Sequence, residues 1–184
     1  MSTVRLFYAL WPSPQLAASL AQWAQAARPA CGGRVMRTET LHLTLAFLGP
    51  VEAQLADTLA AATPGYGIAP GEVPLDHLGV FQRPRILWAG PRDTPPSLQA
   101  VHDDLWQRLA GYGLAKPPQP FRPHVTLLRN IEHAEPPPRP SADAADGART
   151  PLIWRYDRLV LVASESLSGG SRYRIVAQSR PLDA

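Results

Sequence analysis

The chain has 184 residues and an apolar content of 45%, which bound it to one globular domain or to two small lobes that share a core. Its single cysteine, Cys31, excludes an intramolecular disulfide and a cysteine-based metal cluster. The net charge of +3 comes almost entirely from arginine and is spread along the chain, so it permits an anionic ligand without establishing one.

The first predicted elements are a strand and a helix. Residues 4–11 read as a buried strand, and Ser13 followed by Pro14 is a typical helix start, with serine as the cap and proline in the first turn. The run over residues 1–11 is too short for a signal peptide, and no segment approaches a membrane span, so we expect a soluble cytoplasmic protein without a membrane partner. Apolar residues at helical spacing give the helix one buried face: Leu16, Leu20, Trp23 and Ala27.

The next predicted strand carries a polar motif, Leu-His-Leu-Thr-Leu, at residues 41–45. Because side chains alternate along a strand, His42 and Thr44 share one face. We expect this strand to stop at residues 49–50, a Gly-Pro pair. The residues predicted to point to the other face and to be buried there are Leu43, Leu45 and Phe47.

The middle of the chain predicts a helix, a turn region, a hairpin and another helix. The helix covers residues 52–62, and the Gly- and Pro-rich residues 65–74 read as a turn region. Two strands, at 76–81 and 85–89, flank a Gln-Arg-Pro turn. A helix then starts near residue 94 and ends at Gly-containing residues 111–113.

The motif returns near the end of the chain as Pro-His-Val-Thr-Leu at residues 123–127, which places His124 and Thr126 on one face. The order of strand, Pro-initiated helix and motif strand is thus repeated, because residues 85–89 resemble residues 5–9. An approximate two-fold axis between the repeats would bring the two His-Thr pairs face to face.

The last third of the chain predicts a loop and two strands. Residues 132–151 are rich in Pro, Ala and Asp without an apolar period, and we expect a mobile loop there. Residues 159–163 and 173–177 read as two closing strands around a Gly-Gly pair.

A pair of imidazoles suits displacement at phosphorus, because one ring can accept a proton while the other donates one near neutral pH. Two threonine hydroxyls would donate to the phosphoryl oxygens between them. A single such motif is more often structural, but two copies among five histidines favour function. The sequence has no helical histidine pair with zinc-site spacing, no Gly-x-Ser-x-Gly turn and no Walker-type loop, so neither a metal nor another cofactor is expected.

Three longer segments resemble the two-histidine (2H) phosphoesterase superfamily. Residues 5–10, 41–49 and 123–129 are similar to the bacterial and archaeal RNA 2',3'-cyclic phosphodiesterases, formerly called 2'-5' RNA ligases. The resemblance implies an α+β fold with two lobes related by a pseudo-two-fold axis, in which antiparallel sheets flanked by helices surround a central cleft. It also implies that residues 1–184 form a single domain with one motif in each lobe.

The resemblance further implies an activity and roles for five residues. The activity is hydrolysis of a 2',3'-cyclic phosphate at an RNA end to a 2'-phosphomonoester. His42 would donate a proton to the departing 3' oxygen, His124 would activate water, and Thr44 and Thr126 would bind phosphate oxygens. Arg129 matches a family arginine that could bind phosphate, but simple alternation points it away from His124 unless the strand bulges.

Other functions and further contacts stay open at this point. The same chemistry could serve a small nucleotide, such as a cyclic phosphate of ADP-ribose, or a 2'-5' linked oligonucleotide, and a non-catalytic RNA-binding module is the alternative of another class. Phe121 could stack on a base or belong to the core. Arg34 and Arg37 are either RNA-backbone contacts or solvated surface. We expect RNA ends or nucleotide cyclic phosphates as partners, and a monomer.

Overall fold

A computed structural model describes residues 2–136, 151–168 and 170–182, and shows an α+β fold built mainly from antiparallel strands. In chain order the elements are β1 (Thr3–Leu10), α1 (Pro14–Cys31), β2 (Arg34–Val35), a 3-10 turn (Thr38–Thr40), β3 (Leu43–Glu52), α2 (Ala53–Ala62), a second 3-10 turn (Thr63–Gly65), β4 (Gly71–Leu75), β5 (His77–Phe81), β6 (Ile86–Gly90), α3 (Pro96–Ala110), β7 (Val125–Arg129), β8 (Leu152–Tyr156), β9 (Val160–Leu167) and β10 (Gly170–Gln178).

Helix α1 begins where the sequence predicts. The Ser13 hydroxyl accepts a hydrogen bond from the Leu16 amide at 3.2 Å, which satisfies one of the free N–H groups of the first turn. The helix ends at Gly32, whose φ of 69° is favourable for glycine and whose amide donates to the Arg28 carbonyl at 2.8 Å. The predicted helices near residues 52–62 and 94–110 are also present, as α2 and α3.

The main sheet joins the two halves of the repeat. Its strand order is β10-β9-β1-β3-β7-β6-β5, with β2 added on β7, and the described pairs are antiparallel. The two central strands, β3 and β7, meet through the single register pair Leu43–Val125. The predicted α+β fold with two related lobes is confirmed, because strand, helix and motif strand occur on both sides of this junction.

The sequence-based boundaries are wrong at two proline-containing segments. Strand β3 continues through Pro50 to Glu52, and the predicted turn region contains β4, which includes Pro74 and pairs with the unpredicted strand β8. Each proline lies where its strand has one partner only, β1 beside Pro50 and β8 beside Pro74. A missing N–H on an open edge removes no ladder hydrogen bond, so the strand tolerates proline there.

The two faces of the sheet differ in what covers them. One face packs with the helices in a large apolar core, which includes Leu6, Tyr8, Leu43 and Leu45. The opposite face carries a smaller apolar cluster around Phe7. The helix-free face therefore remains open for a cleft above the junction of the halves.

Two further expectations concern the predicted loop and membrane-spanning segments. Most of the loop predicted over residues 132–151 lies outside the described residues, which omit 137–150. Among the helices that the structure describes, none combines the length and apolar character needed to cross a bilayer.

Candidate active site

The two histidines flank the junction between the halves of the sheet. His42 immediately precedes β3 and His124 immediately precedes β7, so each ring stands beside one member of the Leu43–Val125 pair. Both histidines, together with Thr44 and Thr126, line one cleft of about 460 Å³. The structure thus brings the two His-Thr pairs to a single site.

Both imidazoles are held in the same orientation by the backbone two residues earlier. Nδ1 of His42 lies 2.7 Å from the Thr40 carbonyl oxygen, and Nδ1 of His124 lies 2.8 Å from the Arg122 carbonyl oxygen. A carbonyl oxygen only accepts, so each Nδ1 carries the hydrogen and donates it. In the neutral ring the lone pair is consequently on Nε2, which is the nitrogen left for a ligand in the cleft.

Aromatic side chains surround both rings. The ring of His42 is stacked on Trp11 at a centroid distance of 5.6 Å, and it contacts Phe7 at 4.7 Å and the edge of Tyr173 at 5.2 Å. Phe81 meets His124 edge-on at 5.0 Å. These contacts restrict the rotation of the imidazoles and exclude water from one side of each.

The electrostatic environment favours neutral imidazoles in the unliganded cleft. Burial lowers the pKa of His42 to about 4. The charge of Arg129, and that of His124 when it is protonated, act in the same direction, whereas the hydrogen bond to Thr40 raises the pKa. Burial also lowers the pKa of His124, with Arg122 and Arg129 as smaller causes. An anion in the cleft would oppose these shifts, because it favours the protonated rings.

Arg129 lines the same cleft because β7 contains a bulge. Thr126 and Leu128 pair with successive residues of β6, which leaves Leu127 as an extra residue between them. Leu127 and Leu128 are accordingly both buried, and the alternation restarts one residue later. Arg129 therefore faces the cleft, and the orientation that simple alternation gives it is wrong.

The matching bulge on β3 corrects the expectation for Phe47. Ala46 and Thr44 pair with successive residues of β1, so Leu45 is the extra residue. Phe47 was expected to be buried opposite the motif, but it is 54% exposed and lines the cleft. The guanidinium of Arg5 lies 5.6 Å from the centre of its ring. Leu43 and Leu45 are buried as predicted.

Several cleft residues were not found from the sequence. Because they come from strands β1, β5 and β10, only the order of the strands brings them to the motifs; they are Arg5, Phe7, Phe81 and Tyr173. Phe121, a candidate for base stacking, instead stacks on His102 at 4.0 Å. For Phe47 and Arg129 the sequence carried one signal, a pair of adjacent apolar residues after each motif threonine, at 45–46 and 127–128, because a bulge can bury both members of such a pair on one face.

Comparisons with known proteins agree with this fold. A family model described as the 2'-5' RNA ligase superfamily matches residues 12–166. A relative from Escherichia coli (strain K12), named RNA 2',3'-cyclic phosphodiesterase, is 31% identical over 176 residues, which are 92% of this chain and 92% of the relative. A relative of the same name from Thermus thermophilus is 30% identical over 195 residues, covering 94% of this chain and 88% of its own.

Solved structures point to the same family. The crystal structure of E. coli LigT complexed with 3'-AMP has a TM-score of 0.81 and 28% sequence identity, and the alignment covers 96% of this chain and 97% of that one. The fold is that of the two-histidine phosphoesterases. The chain belongs to the 2'-5' RNA ligase superfamily, and its resemblance to relatives named RNA 2',3'-cyclic phosphodiesterase extends over nearly its whole length.

Proposed function

We propose that this protein hydrolyses 2',3'-cyclic phosphate ends of RNA to 2'-phosphomonoesters, with two histidines as acid and base and without a metal ion. The observation that carries the proposal is the presence of two imidazoles in one cleft, each fixed through Nδ1 to a carbonyl and each leaving Nε2 for the substrate. Relatives with the corresponding name match most of the chain, which supports the same substrate class.

In the proposed reaction a water oxygen attacks phosphorus while the bond from phosphorus to the 3' oxygen breaks. His124 accepts the proton of the water on Nε2, and His42 donates the proton on its Nε2 to the departing 3' oxygen. The phosphate stays on the 2' oxygen. The two rings finish in exchanged protonation states, and proton exchange with solvent restores them.

The phosphoryl oxygens need donors while negative charge develops on them. Thr44 and Thr126 each lie two residues after a histidine and line the cleft with it, so their hydroxyls are placed to donate to these oxygens. Arg129 adds a guanidinium, which suits two oxygens of one phosphate. Its charge also lowers the pKa of both histidines, and a bound phosphate anion offsets that effect.

The first test uses a dinucleotide that ends in a 2',3'-cyclic phosphate, with a metal chelator present throughout. We expect turnover to the 2'-phosphate, identified by chromatography against 2'- and 3'-phosphate standards. His42→Ala and His124→Ala should each lower kcat by about 10²- to 10⁴-fold, the usual contribution of a general acid or base. His133→Ala, an exposed histidine outside the cleft, is the matched control and should retain wild-type turnover. Full activity in either cleft variant would sink the proposal.

A second substrate separates the acid from the base. In a nucleoside 2'-(4-nitrophenyl phosphate), the leaving group is nitrophenolate, which departs without receiving a proton. His42→Ala should therefore lose much less activity on this ester than on the cyclic phosphate, whereas His124→Ala should lose as much on both. The opposite pattern would make His124 the acid and His42 the base, and would leave the proposed hydrolysis of the cyclic phosphate unchanged.

A further inference from the structure

The two carbonyl groups that orient the catalytic imidazoles are held in different ways. Thr40 ends a 3-10 turn, where its amide donates to the Arg37 carbonyl oxygen at 2.9 Å and its hydroxyl donates to the same oxygen at 2.7 Å. Local hydrogen bonds therefore fix the carbonyl that accepts from His42. In the described structure Arg122, whose carbonyl accepts from Nδ1 of His124, lies in a stretch without helix, strand or turn.

Side-chain contacts hold the segment that carries Arg122. Residues 115–123 lie outside the helices and strands, and none of the backbone–backbone hydrogen bonds found among the described residues involves them. Arg122 is flanked by the buried Pro123, which leads towards β7, and by the half-buried Phe121 on its other side. The position of the Arg122 carbonyl therefore depends on what Phe121 packs against.

Phe121 packs against His102, a histidine of α3 for which the proposed reaction has no use. The two rings form a nearly parallel stack, with their centroids 4.0 Å apart and their planes at 12°. His102 is only 5% exposed and does not line the cleft. Its Nδ1 lies 3.1 Å from Oδ1 of Asp103, so the ring donates to this carboxylate and is held in one orientation.

Asp103 connects the same helix to the same segment at a second point. Its carboxylate accepts from Gln99 of α3 at 3.0 Å and from the ammonium of Lys116, which belongs to the segment. The contacts of Asp103 with Lys116 and of His102 with Phe121 thus attach residues 115–123 to α3 at two places. The second attachment lies one residue before Arg122.

We infer that His102 is a positioning residue: by stacking on Phe121, it keeps the Arg122 carbonyl where Nδ1 of His124 donates to it. The catalytic part of this inference rests on the proposed function, in which His124 is the base. The hydrogen bond to the carbonyl selects the Nδ1–H tautomer and leaves the lone pair on Nε2. A free imidazole prefers its hydrogen on Nε2, so displacement of the carbonyl would populate a tautomer that cannot accept the proton of water there.

The test reads the tautomer of His124 by nitrogen NMR, on protein labelled with nitrogen-15 in its histidines, at about pH 8, where ordinary histidines are neutral. The spectrum of His124→Gln identifies the signals. We expect the Nδ1–H tautomer in the wild type and a population of the Nε2–H tautomer in His102→Ala. In this variant kcat on the dinucleotide cyclic phosphate should fall at least about tenfold, since a displaced base is costly. KM should change little, because the groups proposed to bind the phosphate are retained.

Two further variants test the stack itself. His102→Phe keeps an aromatic ring against Phe121 without the hydrogen bond to Asp103, and should recover the wild-type tautomer and most of kcat. Phe121→Leu removes the stack from the other side and should resemble His102→Ala. It carries the same test if His102→Ala does not fold.

Leu105→Ala is the control for lost packing in α3. Leu105 is buried like His102, but it lies beside Tyr66 and Ile68. This variant should lower Tm and keep both the wild-type tautomer of His124 and the wild-type kcat. A purely structural role of His102 would give the same pattern in His102→Ala.

The outcomes distinguish this inference from the proposed function. If His102→Ala keeps the wild-type tautomer or the wild-type kcat, or if His102→Phe loses as much activity as His102→Ala, the stack does not position His124 and the inference fails. Hydrolysis by the wild type would then still support the proposed function. If the wild type does not hydrolyse the cyclic phosphate, the proposed function fails, and the tautomer still decides whether the stack holds the carbonyl.

Discussion

His42 lies where burial and neighbouring basic groups act on one imidazole. Burial lowers its pKa to about 4, and Arg129, together with His124 when that ring is protonated, adds to the effect. Both groups also line the cleft in which we propose that the phosphate binds. A bound phosphodiester would therefore remove part of the cause of the low pKa, and His42 would gain its proton more readily in the complex than in the free protein.

This reasoning predicts different pH profiles for kcat/KM and kcat. The profile of kcat/KM reports the free protein, in which the pKa values of His42 and His124 are both lowered from 6.5, so its maximum should lie below about pH 6.5. The profile of kcat reports the complex and should have its maximum at a higher pH. Initial rates from about pH 4 to pH 9 on the dinucleotide cyclic phosphate measure both.

Arg129→Gln tests the electrostatic cause separately. Without this cation the pKa of both histidines rises, so the maximum of kcat/KM should move to higher pH. The activity itself should fall by about 10²-fold, because one donor to the phosphate is lost. The exposed Arg92→Gln variant provides the comparison and should leave the profile in place. If Arg129→Gln lowers kcat/KM at every pH without moving the maximum, the charge of Arg129 does not lower the pKa of the histidines as proposed.

At the scale of elements, the paired bulges decide which side chains enter the cleft. The sequence predicted His42, Thr44, His124 and Thr126 on common faces, because alternation holds over two residues of a strand. Alternation fails by the third residue after each motif threonine, because one extra residue in the strand reverses the parity of the residues that follow it. In β3 a second register shift follows, with Leu48 as the extra residue. The orientation of Arg129, and of the β3 residues beyond the bulge, can therefore be predicted only from the pairing of the strands. A search of the sequence for alternating residues does not reveal that pairing.

Strand β6 packs closely against the backbone that precedes His124. A methyl group placed on Gly90 would lie 2.6 Å from the carbonyl oxygen of Pro123, the residue before His124. Because no flexible side-chain end is available to move, Gly90→Ala must shift the backbone that carries this imidazole. We expect a loss of about 1–3 kcal/mol in unfolding free energy. We also expect at least a tenfold loss in kcat, since small displacements of catalytic groups are costly.

Gly65→Ala is the matched control for this substitution. A methyl group at residue 65 would meet no heavy atom within 4 Å. The unfolding free energy of the Gly65→Ala variant should therefore differ from that of the wild type by no more than about 0.5 kcal/mol. Urea unfolding and kcat measured on both variants give the comparison. If Gly90→Ala were as active as Gly65→Ala, the contact between β6 and the second motif would have no part in positioning His124.

At the scale of the whole molecule, the sheet order reflects the repeat in the sequence. The motif strands β3 and β7 lie side by side, as the repeated order of strand, helix and motif strand predicted, and the structure adds β1 and β6 outside them. The sequence did not predict β8, which pairs with β4 away from these strands. Non-local partners of this kind follow from packing and not from the local pattern, so the outer strands were harder to predict than the motif strands.

The cleft makes the stability of the whole protein depend on pH. A histidine that is harder to protonate in the folded state than in the unfolded state, where its pKa is about 6.5, destabilises the fold as the pH falls. For His42 the loss begins below about pH 6.5 and continues to its folded pKa of about 4, and it amounts to on the order of 3 kcal/mol over that window. The lowered pKa of His124 acts in the same direction.

Urea unfolding at several pH values between about 4 and 7 tests this coupling. Wild type should lose stability faster than His42→Gln as the pH falls, because glutamine has no charge to gain, and the double variant His42→Gln/His124→Gln should lose it more slowly still. The difference between the curves isolates the histidines from carboxylates that titrate in the same range. Inorganic phosphate should flatten the wild-type curve in particular, since an anion in the cleft stabilises the protonated rings of the folded state. Parallel curves for wild type and His42→Gln would mean that solvent reaches the imidazole far more freely than its aromatic surroundings indicate.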